Sequence, residues 1–372
     1  MTDHAPVTGR QALARSAFPS MTSGRWGLTA FAVAIAAAIP LVMTNQYYLS
    51  VMVTTLILLV LNISWNFVLG VAGVWNFGQL AIYAMGGYGA GIMMLRTSLS
   101  PWLALLAGGV VAAIAAMLLA FPTLRLYGIY TSLLTFAFAE VIQYMILNDG
   151  SGITGGSFGL PSVPGLFDTL SIDDQNRAYY WTILAIVVTV TLVLAAVKQS
   201  ELGIALRSIR DAPAYAAARG VNPLRLRVIA FAISGFIAGV AGALYVCAEG
   251  SISPSVMGLT PMSVYVTMLV IGGLGTSTGP IIGTILVQIV ATVLVTRPGA
   301  EFTILGLFLL VVVIFVPDGL AGVVGRYWRR IGVWAAEGEN PAADEPPDTG
   351  EAVPDGTAAA SQAEGSPDPH VA

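Results

Sequence analysis

The stretch LGIALRSIRDAPAYAAARGVNPLRLRVIAFAISGFIAGVAGALY (202–245) changes character halfway along. Its first part holds Arg207, Arg210, Asp211, Arg219, Arg225 and Arg227 around a short alanine-rich centre. From Val228 to Cys247 there is no charged residue, and upstream the run from Trp181 to Val197 is equally uncharged. Each run approaches or reaches the ~17–25 residues with which a helix crosses a bilayer. A charged helix therefore sits between two membrane spans. Asp211 suits a helix N-cap, Pro213 the first turn and Gly220 a left-handed C-terminal position. The helix so bounded is only about nine residues long, too short to persist alone in water. It has to dock. Its small side chains fit a groove, and Arg207, Arg210 and Arg219 suit acidic rims or lipid phosphates. It is either a basic loop resting on headgroups or a helix that transmits force from a partner.

Working outward, the whole chain reads the same way. Of 372 residues 56% are hydrophobic and 10% charged, against about 25% charged in a soluble domain. The expected fold is an all-α polytopic membrane protein with about 9–10 transmembrane or half-membrane helices. Spans are expected near 27–43, 48–69, 79–95, 101–121, 127–147, 179–197, 224–248, 262–273, 279–296 and 300–317. The segment 262–273 is short, which fits a half-helix or a tilted span. The organisation is a cytoplasmic N-terminal segment (1–26), a membrane domain (27–320) and an acidic tail (337–372). The tail holds nine of the twenty acidic residues and no Lys or Arg, so eleven acids face sixteen bases elsewhere, a net +5. Rich in Pro, Ala, Gly and Ser, it cannot bury enough apolar surface to order itself.

Basic residues set the orientation. Arg10, Arg15 and Arg25 place the N-terminus in the cytoplasm, with an uncleaved first span preferred over a signal peptide. Lys198 and the arginines of 207–227 are cytoplasmic six crossings later, and Arg326, Arg329 and Arg330 put the C-terminus there too. The loop 148–178, with Asp149, Asp168, Asp173 and Asp174 against Arg177, lies outside. Glycines at "GGYGAG" (86–91), "GFIAG" (235–239) and "GTSTGPIIG" (275–283) give the small-xxx-small spacing of close helix packing.

Bond chemistry lacks raw material. Cys247 is the single cysteine, and His4 and His370 are the two histidines. No metal site or cofactor is expected, and no nucleic-acid partner. "GGLGTSTG" (272–279) has no Gly-Lys-Ser/Thr after it and reads as a break between half-helices. The candidates for a polar path are Glu140, Thr135, Asn62, Asn66, Asn76 and Gln79. A carboxylate within the span around Glu140 has to face a cavity, the bundle interior or a partner. It either attracts a solute ammonium or makes a structural hydrogen bond. The amides either line a path or join helices, and Thr135 either lines it or bonds back to its own helix.

Several ordered motifs resemble one family. They are 202–245 as quoted, LNISWNFVLGVAGVWNFGQLAIYAMGGYGAGIM (61–93), YGIYTSLLTFAFAEVIQYMI with TGGSFGL (127–160), and GSISPSVMGLTPMSVYVTMLVIGGLGTSTGPIIGTIL (250–286). Together they are similar to the M-type (LivM) permeases of branched-chain amino acid ABC transporters. At "VWNFGQLA" (74–81) relatives read nearer to Ser-Leu-Gly-His. The resemblance implies a permease subunit of an ABC importer in the bacterial cytoplasmic membrane. It implies a second permease (LivH type), two ATPase subunits (LivG and LivF types) and an extracytoplasmic substrate-binding protein. It also implies that the loop helix is a coupling helix docked on an ATPase: Arg207, Arg210, Asp211, Tyr215, Ala216, Ala217, Ala218, Arg219 and Gly220, with Tyr215 to Ala218 nearest the groove. The solutes implied are branched-chain or other hydrophobic amino acids. Urea or short amides within the same class, or a secondary transporter or channel acting alone, are the alternatives.

Overall fold

The computed structural model describes residues 33–41, 45–97, 99–126, 128–294, 306 and 320. The chain divides into units Met1–Gly325 and Arg326–Ala372, and every described residue belongs to the first. The expectations for segment 1–26, the span 300–317, the basic residues 326–330 and the tail 337–372 lie outside the described residues.

After a helical stretch at 33–41 come ten helices described along their length: α1 (Gln46–Asn66), α2 (Gln79–Thr97), α3 (Pro101–Thr123), α4 (Ile129–Leu147), α5 (Ile172–Gln199), α6 (Glu201–Asp211), α7 (Pro213–Ala218), α8 (Pro223–Glu249), α9 (Leu259–Gly272) and α10 (Gly279–Leu294). Among the described residues there is no strand, only one isolated bridge between Leu160 and Ile252. Five helices are long and apolar enough to cross a membrane: α1 with its π-helical extension to Val71, α3, α4, α5 and α8. The helix starts follow local chemistry. The side chains of Asn45, Ser171 and Asn222 accept hydrogen bonds from the opening N–H groups of α1, α5 and α8. Pro101, Pro213 and Pro223 occupy first-turn positions whose missing N–H is not needed. Gly250 ends α8 at φ 68°, a left-handed position that glycine adopts freely.

The α2, α3 and α8 helices form the packed centre, with α1 on its flank. A methyl on Gly86 would strike the backbone of Gly239, and one on Gly239 would strike Ala112 and the Gly108 carbonyl. Gly242 lies against the Tyr83 carbonyl. In lipid the hydrophobic effect does not drive helices together, so such close dispersion contacts have to. The α9 and α10 helices form a hairpin held the same way, Gly272 on Gly279 and Gly283 on the Met268 carbonyl. With 14 residues at ~1.5 Å each, α9 is about 21 Å long, less than the ~30 Å core. The expected short element at 262–273 is this half-length helix.

The two ends of the bundle differ. At one end the loop after α4 is fastened to the end of α8. Leu160 and Ile252 exchange backbone bonds of 2.9 and 3.1 Å, and the Val163 N–H donates to the Gly250 carbonyl at 2.9 Å. The Tyr179 hydroxyl donates to the Cys247 carbonyl at 2.6 Å and accepts from the Leu166 N–H at 2.8 Å. This end carries Asp149, Asp168 and Asp174. The carboxylate of Asp149 accepts from the hydroxyl and N–H groups of Ser151 and Thr154, which holds its pKa well below the usual carboxylate range. At the opposite end α6 and α7 meet the end of α1 and the start of α8, with Lys198 and the arginines of 207–227.

Candidate functional site

The charged part of that stretch, before α8, folds as two helices where one was expected. Pro213 pushes the residue before it out of the α region, and Ala212 stands at φ −148°, ψ 75°. Asp211 accordingly ends α6 instead of capping the next helix. Its Oδ1 accepts from Arg210 Nε at 2.8 Å, and that bond draws its pKa down. The following helix, α7, spans six residues, Pro213–Ala218, and no side chain caps its start. Gly220 has φ 80°, and the Val221 N–H reaches back to the Ala216 carbonyl at 3.1 Å, a Schellman-type closure.

The arginines do not all face outward. Arg207 donates to the Gly203 and Lys198 carbonyls. Arg210 donates from Nη1 to the Gly70 carbonyl. Of the three arginines named for acidic rims, Arg207 and Arg210 thus spend donors on their own chain. The helix is anchored from below by Leu206, Ile209 and Ala216, all buried. Tyr215, 80% exposed, and the exposed Ala217, Ala218, Arg219 and Gly220 form its outer face.

Five of the six path candidates are buried within this chain. Asn62 Nδ2 donates to Thr284 Oγ1 at 2.8 Å and to Met268 Sδ at 3.2 Å, tying α1 to the α9–α10 hairpin. Asn66 clamps the break between those helices, donating to the Thr276 carbonyl at 2.7 Å and accepting from the Gly275 N–H at 2.8 Å. Gln79 Nε2 donates to Ser64 and Ser234 hydroxyls at 3.1 and 3.0 Å, and its Oε1 accepts from Asn76 Nδ2 at 2.9 Å. Thr135 bonds back to the Ser132 carbonyl and accepts from the Phe77 N–H, both at 3.0 Å. Thr135 and Asn76 accept from the Phe77 and Gly78 N–H groups of the irregular segment 72–78, where backbone at membrane depth needs polar partners. In this conformation Asn62 and Gln79 join helices, Asn66 holds the break between α9 and α10, Thr135 joins α4 to the segment before α2, and Asn76 bonds within that segment and to Gln79. Nothing in the sequence singled out Ser234 or Thr284, which complete the network; their short side chains are ordinary in a span.

Glu140 stands apart. It is exposed on α4, on a stripe shared with Leu133, Val141, Tyr144 and Met145, each more than half exposed. Among the described residues its carboxylate has no partner. A helix that is apolar and uncovered by the described residues, yet carries one acid within its length, calls for a partner for that acid.

A second open feature lies beside α6. A cavity of about 320 Å³ is lined by Leu69, Gly70, Gly73, Trp75, Arg210 and Gly275. Trp75, from the segment that departs from the family pattern, is 46% exposed there.

Five apolar helices long enough to cross a bilayer, with a short solvent-facing helix at the basic end, are the architecture of a polytopic membrane protein. The family model for the branched-chain amino acid transport system / permease component matches residues 47–317. The chain belongs to that family, and is a permease subunit of an ABC importer. It is 27% identical over 320 residues to the high-affinity branched-chain amino acid transport system permease protein LivM of Escherichia coli K12, covering 80% of this chain and 75% of that one. The LivH permease of Salmonella typhimurium is 26% identical over 278 residues, 70% of this chain and 89% of that one. A probable LivH of Methanocaldococcus jannaschii is 25% identical, covering 74% and 91%. No solved structure gives a significant match.

Proposed function

We propose that this subunit pairs with a second permease to form a path for branched-chain or other hydrophobic amino acids, and that separate ATPases drive it through α7. The names of the LivM and LivH relatives support the solute class and the second permease. The observation that carries the coupling role is the outer face of α7: a six-residue helix, anchored by Ala216, that presents Tyr215, Ala217 and Ala218 to solvent. So short a helix has no stability of its own, and small exposed side chains leave room for another chain's groove. The basic end, with Lys198 and the arginines of 207–227, is then cytoplasmic by the positive-inside rule, as are both termini in this reading. The acidic end faces the extracytoplasmic binding protein. Substrate passes along the uncovered face of α4, where Glu140 attracts its ammonium group. ATP binding in the partners shifts the spans between outward and inward access.

The test is Ala217→Trp in the complete importer. Uptake should fall about tenfold or more, the size of a typical coupling between sites, while insertion and permease pairing persist. Normal ATP-dependent uptake by this variant would remove α7 from the coupling path.

A further inference from the structure

We infer that Arg210 is the latch through which movement of α6 and α7 reaches the break between α9 and α10. Three contacts meet at this residue. Its aliphatic stem lies across Gly73, where a methyl group would collide with it; Gly73 has φ 69°. Its Nη1 donates to the Gly70 carbonyl, and its Nε holds Asp211 at 2.8 Å. Gly70 belongs to the π-helical turn Phe67–Val71 that ends α1. Such turns carry a locally irregular hydrogen-bond ladder and recur at functional sites.

Gly70 in turn rests against Gly275, so closely that a methyl on Gly70 would strike the Gly275 Cα. One turn earlier Asn66 clamps the Gly275 N–H and the Thr276 carbonyl. Lys198, at the end of α5 just before α6, reaches Ser277 at 3.4 Å. The chain of contact therefore runs from α6 through Arg210 and Gly70 to the segment 273–278. Gly273 and Gly275 both have positive φ, 103° and 78°, and the segment joins α10 to α9, which is shorter than the bilayer. A guanidinium that bonds a carboxylate on its own helix and a carbonyl on another, with its stem in a glycine notch, transmits both push and pull. A lysine offers one point charge and no fork. The cavity of about 320 Å³ beside the latch leaves space into which the junction can shift.

This inference rests on the reading that α7 docks on an ATPase, and the experiment separates the two. The complete importer is reconstituted in vesicles with an environment-sensitive probe on Thr278→Cys, in a Cys247→Ala background. Solute imported per ATP hydrolysed is measured alongside the probe's response to ATP. With Arg210 intact, ATP changes the probe signal. In Arg210→Ala the response disappears and the solute-to-ATP ratio falls about tenfold, the scale of a site-to-site coupling. Arg210→Lys recovers part of both. Arg225→Ala, which removes a cation from the exposed start of α8, keeps both. Retention of the full response and ratio in Arg210→Ala would overturn the latch. If Arg210→Ala fails to assemble, Arg210→Lys decides: a reduced ratio supports the latch and a full ratio overturns it. If ATP leaves the probe silent with Arg210 present, the latch is wrong. The docking role of α7 then stands or falls separately, on whether ATPase still binds the permease.

Discussion

The packed centre of α2, α3 and α8 and the short helix α7 both depend on small residues, for opposite reasons. In the centre, Gly86, Gly239 and Gly242 are small so that backbones of one chain can touch. On α7, Ala217 and Ala218 are small and uncovered, which leaves a surface for a second chain. Residue size is the same signal in both places. Burial separates a finished contact from an unfinished one.

The comparison breaks most violently in the centre. Gly239→Leu has to displace Ala112 and the Gly108 backbone. Overpacking of ~1–3 kcal/mol per site is a lower bound where backbone itself is in the way, so almost no monodisperse protein should survive detergent extraction and gel filtration. The same increase in size on α7, Ala217→Trp, should leave the extracted protein monodisperse and reduce only uptake. If the two variants behaved alike, burial would not be what distinguishes the regions. Glu140→Gln sharpens the contrast from another side. Losing a charge-assisted bond to an ammonium costs on the order of 1.5–3 kcal/mol, so uptake at low solute concentration should drop about tenfold or more while ATPase binding persists. An unchanged half-saturation concentration would return Glu140 to a structural role. Smaller still is the effect at Asp149. Its carboxyl is held low by Ser151 and Thr154, so its stabilisation of the loop after α4 is present above the ordinary carboxylate pKa and is lost as pH falls toward the depressed folded value. Asp149→Asn should make protease nicking of 149–158 faster at neutral pH and leave uptake nearly intact. Removing 337–372 should change uptake by less than about twofold, since so acidic and Pro-rich a composition buries little apolar surface; abolished uptake would contradict that.

Much of this architecture is legible in the sequence because membrane spans announce themselves by length and lack of charge, and close contacts by glycine spacing. The shortness of α9 could be read from an uncharged run of twelve residues, 262–273, and the left-handed Gly220 from its place after an alanine run. Other features depended on three-dimensional partners. The break at Ala212 follows from Pro213, but Asp211 reads equally well as a cap until Arg210 is seen to hold it. The inward turn of Arg210 needs Gly70 and Gly73, 140 and 137 positions away in the chain, to be brought beside it. Asn62, Asn66, Asn76 and Gln79 are polar residues in apolar runs, a pattern shared by path linings and helix-joining networks. Their burial, and the bonds of Asn62 to Thr284, Asn66 to Thr276 and Gln79 to Ser234, are visible only once the helices are brought together.

The central claim is that α7 is the surface on which an ATPase sits. A photo-cross-linking residue replacing Tyr215, 80% exposed at the basic end, can be compared with one replacing Phe158, 91% exposed in the loop after α4, in membranes containing the full importer. Capture of an ATPase subunit from position 215 and none from 158 is the predicted result. Capture of ATPase only from 158, or of nothing but lipid from 215, would contradict it.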